Sequence, residues 1–195
     1  MPNIVLASQS PRRRELLSRI GLPHTSIRVD ADEWYPASAQ TGEEIVKYIS
    51  NTKAFAAANM VAPEDIVITA DTMVFLDDKK LGKPADEDEA FAMLRALSGR
   101  AHTVCTGVTV MQGNRTLTEA ETTRVHFVPL TDEMIRAYIR TGEPMDKAGA
   151  YGIQGLGALL IQRIEGDYYN VMGLPVCRLW QVLADTAPEV LEGRL

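Results

Sequence analysis

The sequence predicts an α/β fold, a mixed twisted sheet with flanking helices, because strand-type and helix-type patterns alternate along the chain. Residues 4–7 form a short apolar run of the buried-strand type, and apolar residues recur at helical spacing from Leu16 onward. A second buried-strand run, residues 66–70, follows another helical pattern. The chain has 195 residues, 46% of them hydrophobic and 24% charged. This length allows one good core, or two lobes that share a cleft.

Charge and cysteine usage exclude several classes of protein. A net charge of -6 opposes nonspecific binding to nucleic acid. Cys105 and Cys177 lack the spacing of metal ligands, and the three histidines make no metal-binding pair, so we expect reduced thiols. The apolar run at 4–7 is too short for a signal peptide, and no apolar stretch approaches membrane-spanning length. These features predict a cytosolic protein with neither a membrane nor a stable nucleic-acid partner.

The first strand leads through a small-residue loop into a basic helix start. Ser10 is a good N-cap residue and Pro11 suits the first helical position, so we expect the helix to begin there. Arg12 and Arg13 in its first turn oppose the helix dipole. An anion bound at the free N–H groups would relieve this conflict, and phosphate is the usual one. The alternative is a basic face that is simply solvated.

A lysine on an apolar helix face is a second unusual feature. The helix predicted over residues 42–59 has an inward face that includes Ile49, and Lys53 lies on that face one turn later. A lysine in this position needs either a route to solvent or an anionic partner. The acidic residues that follow a strand predicted over 25–29 are Asp30, Asp32 and Glu33.

Asp71 is predicted to follow directly after the buried strand at residues 66–70. Open α/β sheets bind their ligands at the carboxyl ends of such strands. A turn or cap aspartate is the alternative. Further along, Lys83 precedes a proline and is therefore expected to be extended.

The residue pattern in the middle of the chain predicts a helix, then a β-hairpin, then a second helix. Asp86 and Glu89 suit the start of the first helix, residues 102–111 and 116–128 read as the hairpin, and Thr131 suits the cap of the second helix. We interpret residues 86–141 as a second lobe within a single domain over 1–195. The inward-facing residues predicted for the two helices are Ala90, Met93, Leu94, Leu97, Met134, Ile135, Tyr138 and Ile139.

A glycine-rich segment follows, since the nine residues 149–157 contain four glycines. Glycines at this density allow either a close backbone approach to a ligand or tight bends without one. After this segment the pattern predicts a strand over 158–164, a turn over 167–170 and a final helix from Pro175.

Several of these stretches resemble one known family. The string Ser8-x-Ser10-Pro11-Arg12-Arg13-x-Glu15-Leu16-Leu17 resembles the opening signature of the Maf-type nucleoside triphosphate pyrophosphatases, and the similarity recurs to about Pro175. The further matching stretches are Ala70-Asp71-Thr72, the Lys83 segment and the string from Lys147 to Gly155. The resemblance covers nearly the whole chain and implies a Maf/ITPase-like fold with two lobes around a central cleft.

The resemblance also implies an activity, the hydrolysis of dTTP and UTP to the nucleoside monophosphate and pyrophosphate. Arg12, Thr72 and Gln154 resemble the branch with this base choice, and the Gln154 amide offers a donor and an acceptor to a pyrimidine edge. CTP and modified pyrimidine nucleotides are further expected substrates, in a role that keeps non-standard nucleotides out of nucleic acids. The alternatives are the sister branch that acts on 7-methyl-GTP and a nucleotide-binding regulator of septum formation and cell division.

The resemblance and the charges together assign roles to the site residues. Asp71 is expected to bind a divalent metal cation, Mg²⁺ or Mn²⁺, and to orient or deprotonate water, with Glu33 as the second metal ligand. The loop from Ser8 to Ser10 is expected to donate hydrogen bonds to the phosphates. A triphosphate carries about four negative charges that must be screened. The cations expected to screen it are Arg12, Arg13, Lys53 and Lys83.

Two other classes of protein remain open from the residues alone. A regulatory nucleotide-binding protein needs the same phosphate site but no catalytic water. A nucleic-acid binder would use residues 12–14, although the acidic net charge opposes it. The sequence also leaves open whether the protein is a homodimer.

Overall fold

The computed structural model describes residues 2–31 and 33–194, and its strands and helices alternate as the sequence predicts for an α/β fold. Asp32, part of the predicted acidic cluster, lies outside the described residues. The strands are β1 (Ile4–Ala7), β2 (Thr25–Ile27), β3 (Ile66–Leu76), β4 (Lys79–Leu81), β5 (Ala101–Gln112), β6 (Arg115–Phe127) and β7 (Ile161–Glu165). The α-helices are α1 (Pro11–Arg19), α2 (Gly42–Ala58), α3 (Glu87–Leu97), α4 (Asp132–Ile139), α5 (Tyr168–Met172) and α6 (Val176–Thr186). Short 3₁₀ helices occupy Glu143–Asp146, Ala148–Ala150, Gly155–Leu160 and Pro188–Leu191.

The strands form one mixed sheet, which confirms the predicted fold class. Among the described residues its order is β2-β1-β3-β5-β6-β7, and β4 pairs with β3 beside this path. β1 is parallel to both neighbours, because Val5 pairs with Thr25 on β2 and with Val67 on β3. β4 is antiparallel to β3, and β7 is antiparallel to β6.

The chain divides into two compact units. Unit 1 contains the residues up to Asp71, then Thr106–Glu121, and the residues from Gly173 onward. Unit 2 contains Thr72–Cys105 and Thr122–Met172. Of the segment interpreted as a second lobe, residues 86–105 and 122–141 belong to unit 2 and residues 106–121 to unit 1.

In unit 1, helix α2 lies unusually close to strand β5. A Cβ atom at Gly107 would lie 2.3 Å from the carbonyl oxygen of Val46, so only glycine fits there. The hydroxyl of Thr69 donates to the carbonyl oxygen of Ser50 at 2.6 Å, and Thr109 donates to the Ser50 hydroxyl at 3.0 Å. These buried contacts fix the helix one turn before Lys53.

In unit 2, helices α3 and α4 contribute to one apolar core. The predicted inward face of α3 is confirmed, since its residues Ala90, Met93, Leu94 and Leu97 are all buried. The face predicted for α4 is right for Ile135, Tyr138 and Ile139 and wrong for Met134, which is 39% exposed. Met134 lies in the first turn, one position to the side of the apolar stripe.

Four local predictions need correction. Ser10 occupies the N-cap position of α1, but its side chain makes no capping hydrogen bond. Instead the Ser10 N–H donates to the Ser8 hydroxyl at 3.2 Å. The strand predicted over 25–29 ends at Ile27. The strand predicted over 158–164 begins only at Ile161, because a 3₁₀ helix takes the preceding residues, and the turn predicted over 167–170 belongs largely to α5.

Candidate active site

The three parallel strands of unit 1 create a ligand-binding edge. The chain passes from β1 to β2 on one side and then returns to β3 on the other side of β1. At such a switch point the connections leave the carboxyl ends in opposite directions, and open α/β sheets bind ligands in the space this leaves. The β1–α1 loop, which begins at Ser8, lies at this point.

Asp71 lies at the same edge, although not for the predicted reason. It is inside β3, not directly after it, because the apolar residues that follow continue the strand as far as Leu76 and pair with β4. In the parallel register Leu6 pairs with Ile68, and β1 ends one residue later at Ala7. Asp71 therefore lies beyond the carboxyl end of β1.

Lys53 joins the two predicted acidic residues. Its Nζ donates to Asp71 Oδ1 at 2.7 Å and to Glu33 Oε1 at 3.1 Å. The Asp71 side chain is 9% exposed and that of Lys53 is 17% exposed, whereas that of Glu33 is 65% exposed. Of the two alternatives predicted for Lys53, a route to solvent or an anionic partner, the structure shows the second, in a largely buried ion pair with Asp71.

The second oxygen of Asp71 has an unusual environment. Oδ2 is buried and has no hydrogen-bond partner among the residues that the structure describes. A buried carboxylate oxygen without a partner costs free energy unless a ligand supplies a cation or a proton donor. Asp71 can therefore accept a proton or bind a cation without breaking its bond to Lys53.

Arg13 links the helix start to the sheet. Its Nη1 donates to the carbonyl oxygen of Ala70 at 2.8 Å and to the Ser8 hydroxyl at 3.3 Å. Its Nε donates to the carbonyl oxygen of Gly173 at 2.7 Å. The fork of the guanidinium thus ties together three segments of unit 1, including the backbone next to Asp71.

Charges around Arg13 act in opposite directions. Burial lowers the pKa of the Arg13 guanidinium from its ordinary value, Asp71 opposes that shift, Arg12 adds to it, and Glu33 opposes it. Arginine remains charged through shifts of this kind. Two cations and two anions therefore lie within electrostatic reach of one another at the start of α1, where the helix dipole adds a partial positive charge.

The residues present fit a divalent metal only together with further oxygen ligands. Across residues 2–31 and 33–194, no group of three or more His, Cys, Asp or Glu residues is placed to hold a metal ion. Asp71 and Glu33 supply two hard carboxylates, and the partnerless Asp71 Oδ2 is a suitable ligand atom. Mg²⁺ is commonly bound by one or two carboxylates together with substrate phosphates and water, and this donor set matches that pattern.

The remaining predicted site residues belong to unit 2. Thr72 is half-buried on β3, Lys83 is exposed, and Gln154 is half-buried in extended backbone. The N–H of Gly149 donates to the carbonyl oxygen of Gly82 at 3.0 Å, so unit 2 joins the Lys83 segment to the glycine-rich segment.

Sequence reasoning missed several residues that position the site. Gly107, Ser50 and Thr69 hold α2, which carries Lys53. An isolated glycine in a strand pattern indicates a close backbone approach. Of these three residues, Gly107 is therefore the one that the sequence could have revealed. The carbonyl oxygens of Ala70 and Gly173 hold Arg13, and a backbone acceptor leaves no signal in the side-chain pattern.

Within the described chain, no helix is long and apolar enough to cross a membrane.

Known proteins similar to this chain agree with one another. The family model for Maf-like proteins matches residues 3–186. A dTTP/UTP pyrophosphatase from Thermoanaerobacter sp. (strain X514) is 50% identical over 182 residues, which cover 92% of this chain and 94% of that protein. A dTTP/UTP pyrophosphatase from Symbiobacterium thermophilum is 47% identical over 193 residues, covering 99% of this chain and 98% of that protein. A dTTP/UTP pyrophosphatase from Caldicellulosiruptor bescii is 44% identical, with both chains fully covered. Among solved structures, a HAM1 protein from Coxiella burnetii aligns with a TM-score of 0.42 and 16% identity over 65% of this chain and 73% of that chain. The chain belongs to the Maf family.

Proposed function

We propose that this protein is a nucleoside triphosphate pyrophosphatase that hydrolyses dTTP and UTP to the monophosphate and pyrophosphate. The observation that carries the proposal is the Asp71 carboxylate, with one oxygen held by Lys53 and the other buried without a partner among the described residues. Membership of the Maf family supports it, as do the relatives named dTTP/UTP pyrophosphatases that share close to half of the sequence.

In the proposed reaction a water molecule attacks the α-phosphorus. The new bond forms between the water oxygen and the α-phosphorus while the bond to the oxygen bridging the α- and β-phosphates breaks. Asp71 Oδ2 is the acceptor for the water proton, and the leaving group is pyrophosphate. Lys53 holds Asp71 in place, because its Nζ lies 2.7 Å from Oδ1.

The phosphate chain is expected to meet cations and backbone N–H groups at the start of α1. Arg12 and the Ser8–Ser10 loop lie at this helix start, where the dipole favours an anion. Arg13 is engaged with backbone carbonyl oxygens, so its proposed contribution is a fixed positive charge. Lys83 is proposed as a further phosphate ligand because it is a cation and is exposed.

Asp71 and Glu33 are proposed as ligands of Mg²⁺ or Mn²⁺. When bound there, a divalent ion would neutralise phosphate charge and lower the pKa of a bound water molecule.

Arg12, Thr72 and Gln154 are proposed to select the pyrimidine base, with CTP and modified pyrimidine nucleotides as further substrates. We place the enzyme in the cytoplasm, consistent with the thiols of Cys105 and Cys177. We also propose that the protein forms a homodimer, and its mass by light scattering would test this.

One screen tests the proposal. The protein is incubated with dTTP, UTP, CTP, dATP and 7-methyl-GTP, each with Mg²⁺ and with EDTA, and monophosphate and pyrophosphate are both measured. We expect equal amounts of the two products, fastest release from dTTP and UTP, and loss of activity in EDTA. Retention of intact nucleotide would indicate a sensor, and fastest turnover of 7-methyl-GTP would indicate the sister activity. Release of the nucleoside diphosphate together with inorganic phosphate would exclude cleavage between the α- and β-phosphates.

A further inference from the structure

The glycine-rich segment of unit 2 is folded around one carboxylate. Glu143 Oε1 accepts hydrogen bonds from the Tyr138 hydroxyl at 2.8 Å and from the Gly157 N–H at 3.0 Å. Glu143 Oε2 accepts from the Leu156 N–H at 3.0 Å. Hydrogen bonds to a charged acceptor are roughly twice as strong as neutral ones. Glu143 therefore fixes the backbone just after Gln154.

Tyr138 fixes the backbone just before Gln154. Its hydroxyl accepts a hydrogen bond from the Gly152 N–H at 3.1 Å while it donates to Glu143. Tyr138 lies on α4 and is 5% exposed. Burial raises the pKa of its hydroxyl above the ordinary value, so the group keeps its proton and can donate.

The glycine backbone packs tightly against Tyr138 and Glu143. A Cβ atom at Gly157 would lie 2.1 Å from the carbonyl oxygen of Gly152 and 2.7 Å from the Tyr138 hydroxyl. Gly155 has a φ of +68°, and a Cβ atom there would lie 2.7 Å from Glu143 Oε2. The glycines thus allow the chain on both sides of Gln154 to close onto the Tyr138–Glu143 pair.

We propose that Glu143 and Tyr138 are positioning residues that hold the Gln154 amide for pyrimidine recognition, an inference that rests on the proposed role of Gln154. An amide discriminates between bases only if its donor and acceptor are held to within about 0.5 Å of their partners. Gln154 itself is not the source of that rigidity, because its side chain makes no cap hydrogen bond at the 3₁₀ helix that follows it. The Tyr138–Glu143 pair holds the backbone at positions 152, 156 and 157.

The test compares four single variants and one double variant by kcat/KM for dTTP and for dATP. Glu143→Gln keeps the shape but removes the charge, and Tyr138→Phe removes only the hydroxyl. Gln154→Ala removes the proposed reader, and Glu87→Gln is the matched control because Glu87 is exposed on α3, outside the network. We expect Glu143→Gln to lower the dTTP to dATP ratio at least tenfold, mainly through KM for dTTP, with little change for dATP.

Tyr138→Phe should act in the same direction, and the double variant Glu143→Gln with Gln154→Ala should have the ratio of Gln154→Ala alone. An equal loss on both nucleotides in Glu143→Gln and Tyr138→Phe, while Gln154→Ala still lowers the ratio, would overturn this inference and leave the role of Gln154 standing. An unchanged ratio in Gln154→Ala would overturn both. In neither case would the pyrophosphatase activity itself be disproved.

Discussion

Arg13 illustrates how the shape of one side chain holds the site together. Its guanidinium reaches Gly173 through Nε, and Ala70 and Ser8 through Nη1. An ammonium group on a flexible stem cannot reproduce contacts that diverge from a planar fork. The two carbonyl oxygens would then lose these hydrogen bonds from a charged donor, and each such bond contributes about 1.5–3 kcal/mol.

We therefore predict that Arg13→Lys lowers the free energy of unfolding by about 2 kcal/mol and kcat/KM for dTTP at least tenfold. The measurements are urea unfolding and steady-state hydrolysis. The matched control is Arg14→Lys, an exposed neighbour on the same helix, which should leave both values within error. Equal behaviour of the two variants would show that the fork of Arg13 is dispensable.

Lys53 and Ser10 show what sequence can and cannot predict at the residue scale. Apolar periodicity places Lys53 on an inward face, which predicts that it needs either a route to solvent or an anionic partner. The structure supplies the partner, Asp71. The choice of hydrogen-bond partners could not be predicted. Ser10 has the right residue type for a cap, yet its N–H uses the Ser8 hydroxyl and its own side chain does not cap the helix. Competing local partners of similar strength decide such cases.

Helix α2 carries Lys53, and its position depends on its close approach to β5. A methyl group at Gly107 would meet the Val46 carbonyl oxygen at 2.3 Å and the Lys47 nitrogen at 2.9 Å. Both atoms are backbone, so they cannot move aside by a change of rotamer. The whole helix would have to shift, and Lys53 would shift with it.

Gly107→Ala is accordingly expected to destabilise the protein by about 3 kcal/mol or more and to lower kcat for dTTP at least tenfold even where the protein is folded. Thermal unfolding and single-turnover hydrolysis would measure the two effects. Gly82→Ala is the control for stability, since a Cβ atom there meets nothing within 4 Å. Wild-type stability in Gly107→Ala would disprove the close packing of α2 on β5.

Strand β5 contains a titratable group that should make stability depend on pH. His102 is 2% exposed, and its Nε2 lies 2.7 Å from the Tyr151 hydroxyl. Burial, with a contribution from His126, lowers the pKa of His102 from 6.5 to about 4. As the pH falls from 6.5 to 4, the unfolded chain binds a proton at this residue that the folded chain does not bind. Stability is therefore lost across this interval, by about 3 kcal/mol at most.

The variant His102→Gln removes this proton linkage while keeping a polar group near Tyr151. Its free energy of unfolding should be lower than that of the wild type at pH 7.5, and the difference should shrink between pH 6.5 and pH 4. Urea unfolding at several pH values gives both curves. Parallel curves would mean that His102 does not remain neutral in the folded protein.

At the scale of elements, the periodic segments were predictable and their ends were not. The helices α2, α3 and α6 follow from apolar spacing and from cap or proline signals. The predicted end of β3 is wrong because an aspartate after an apolar run is typical of a strand end. In the structure the strand continues past Asp71, where Val74 pairs with Leu81 on β4. That pairing is a tight hairpin, and its local signal is the two-residue turn of Asp77 and Asp78.

For the whole molecule, alternation of strands and helices predicted the α/β class, and the sheet order shows why the site is where it is. The order β2-β1-β3 places the β1–α1 loop and Asp71 at a switch point. Sequence could not provide this order, since parallel pairing joins residues about sixty positions apart, as in Val5 with Val67. The motif resemblance adds a prediction that periodicity cannot make, namely which charged residues form one site.

The proposed hydrolysis requires that the Asp71 carboxylate takes part in the chemistry. Asn in its place keeps the shape and the bond from Lys53 but cannot accept a proton or bind a cation as a carboxylate does. Asp78→Asn is the matched control, because Asp78 is exposed in the turn between β3 and β4.

The most direct measurement is therefore the turnover of dTTP, followed by pyrophosphate release, in Asp71→Asn, in Asp78→Asn and in the wild-type protein. We predict that kcat falls about 10²- to 10⁴-fold in Asp71→Asn and stays at the wild-type value in Asp78→Asn. A fall of only a few-fold in Asp71→Asn would contradict the central role assigned to this carboxylate.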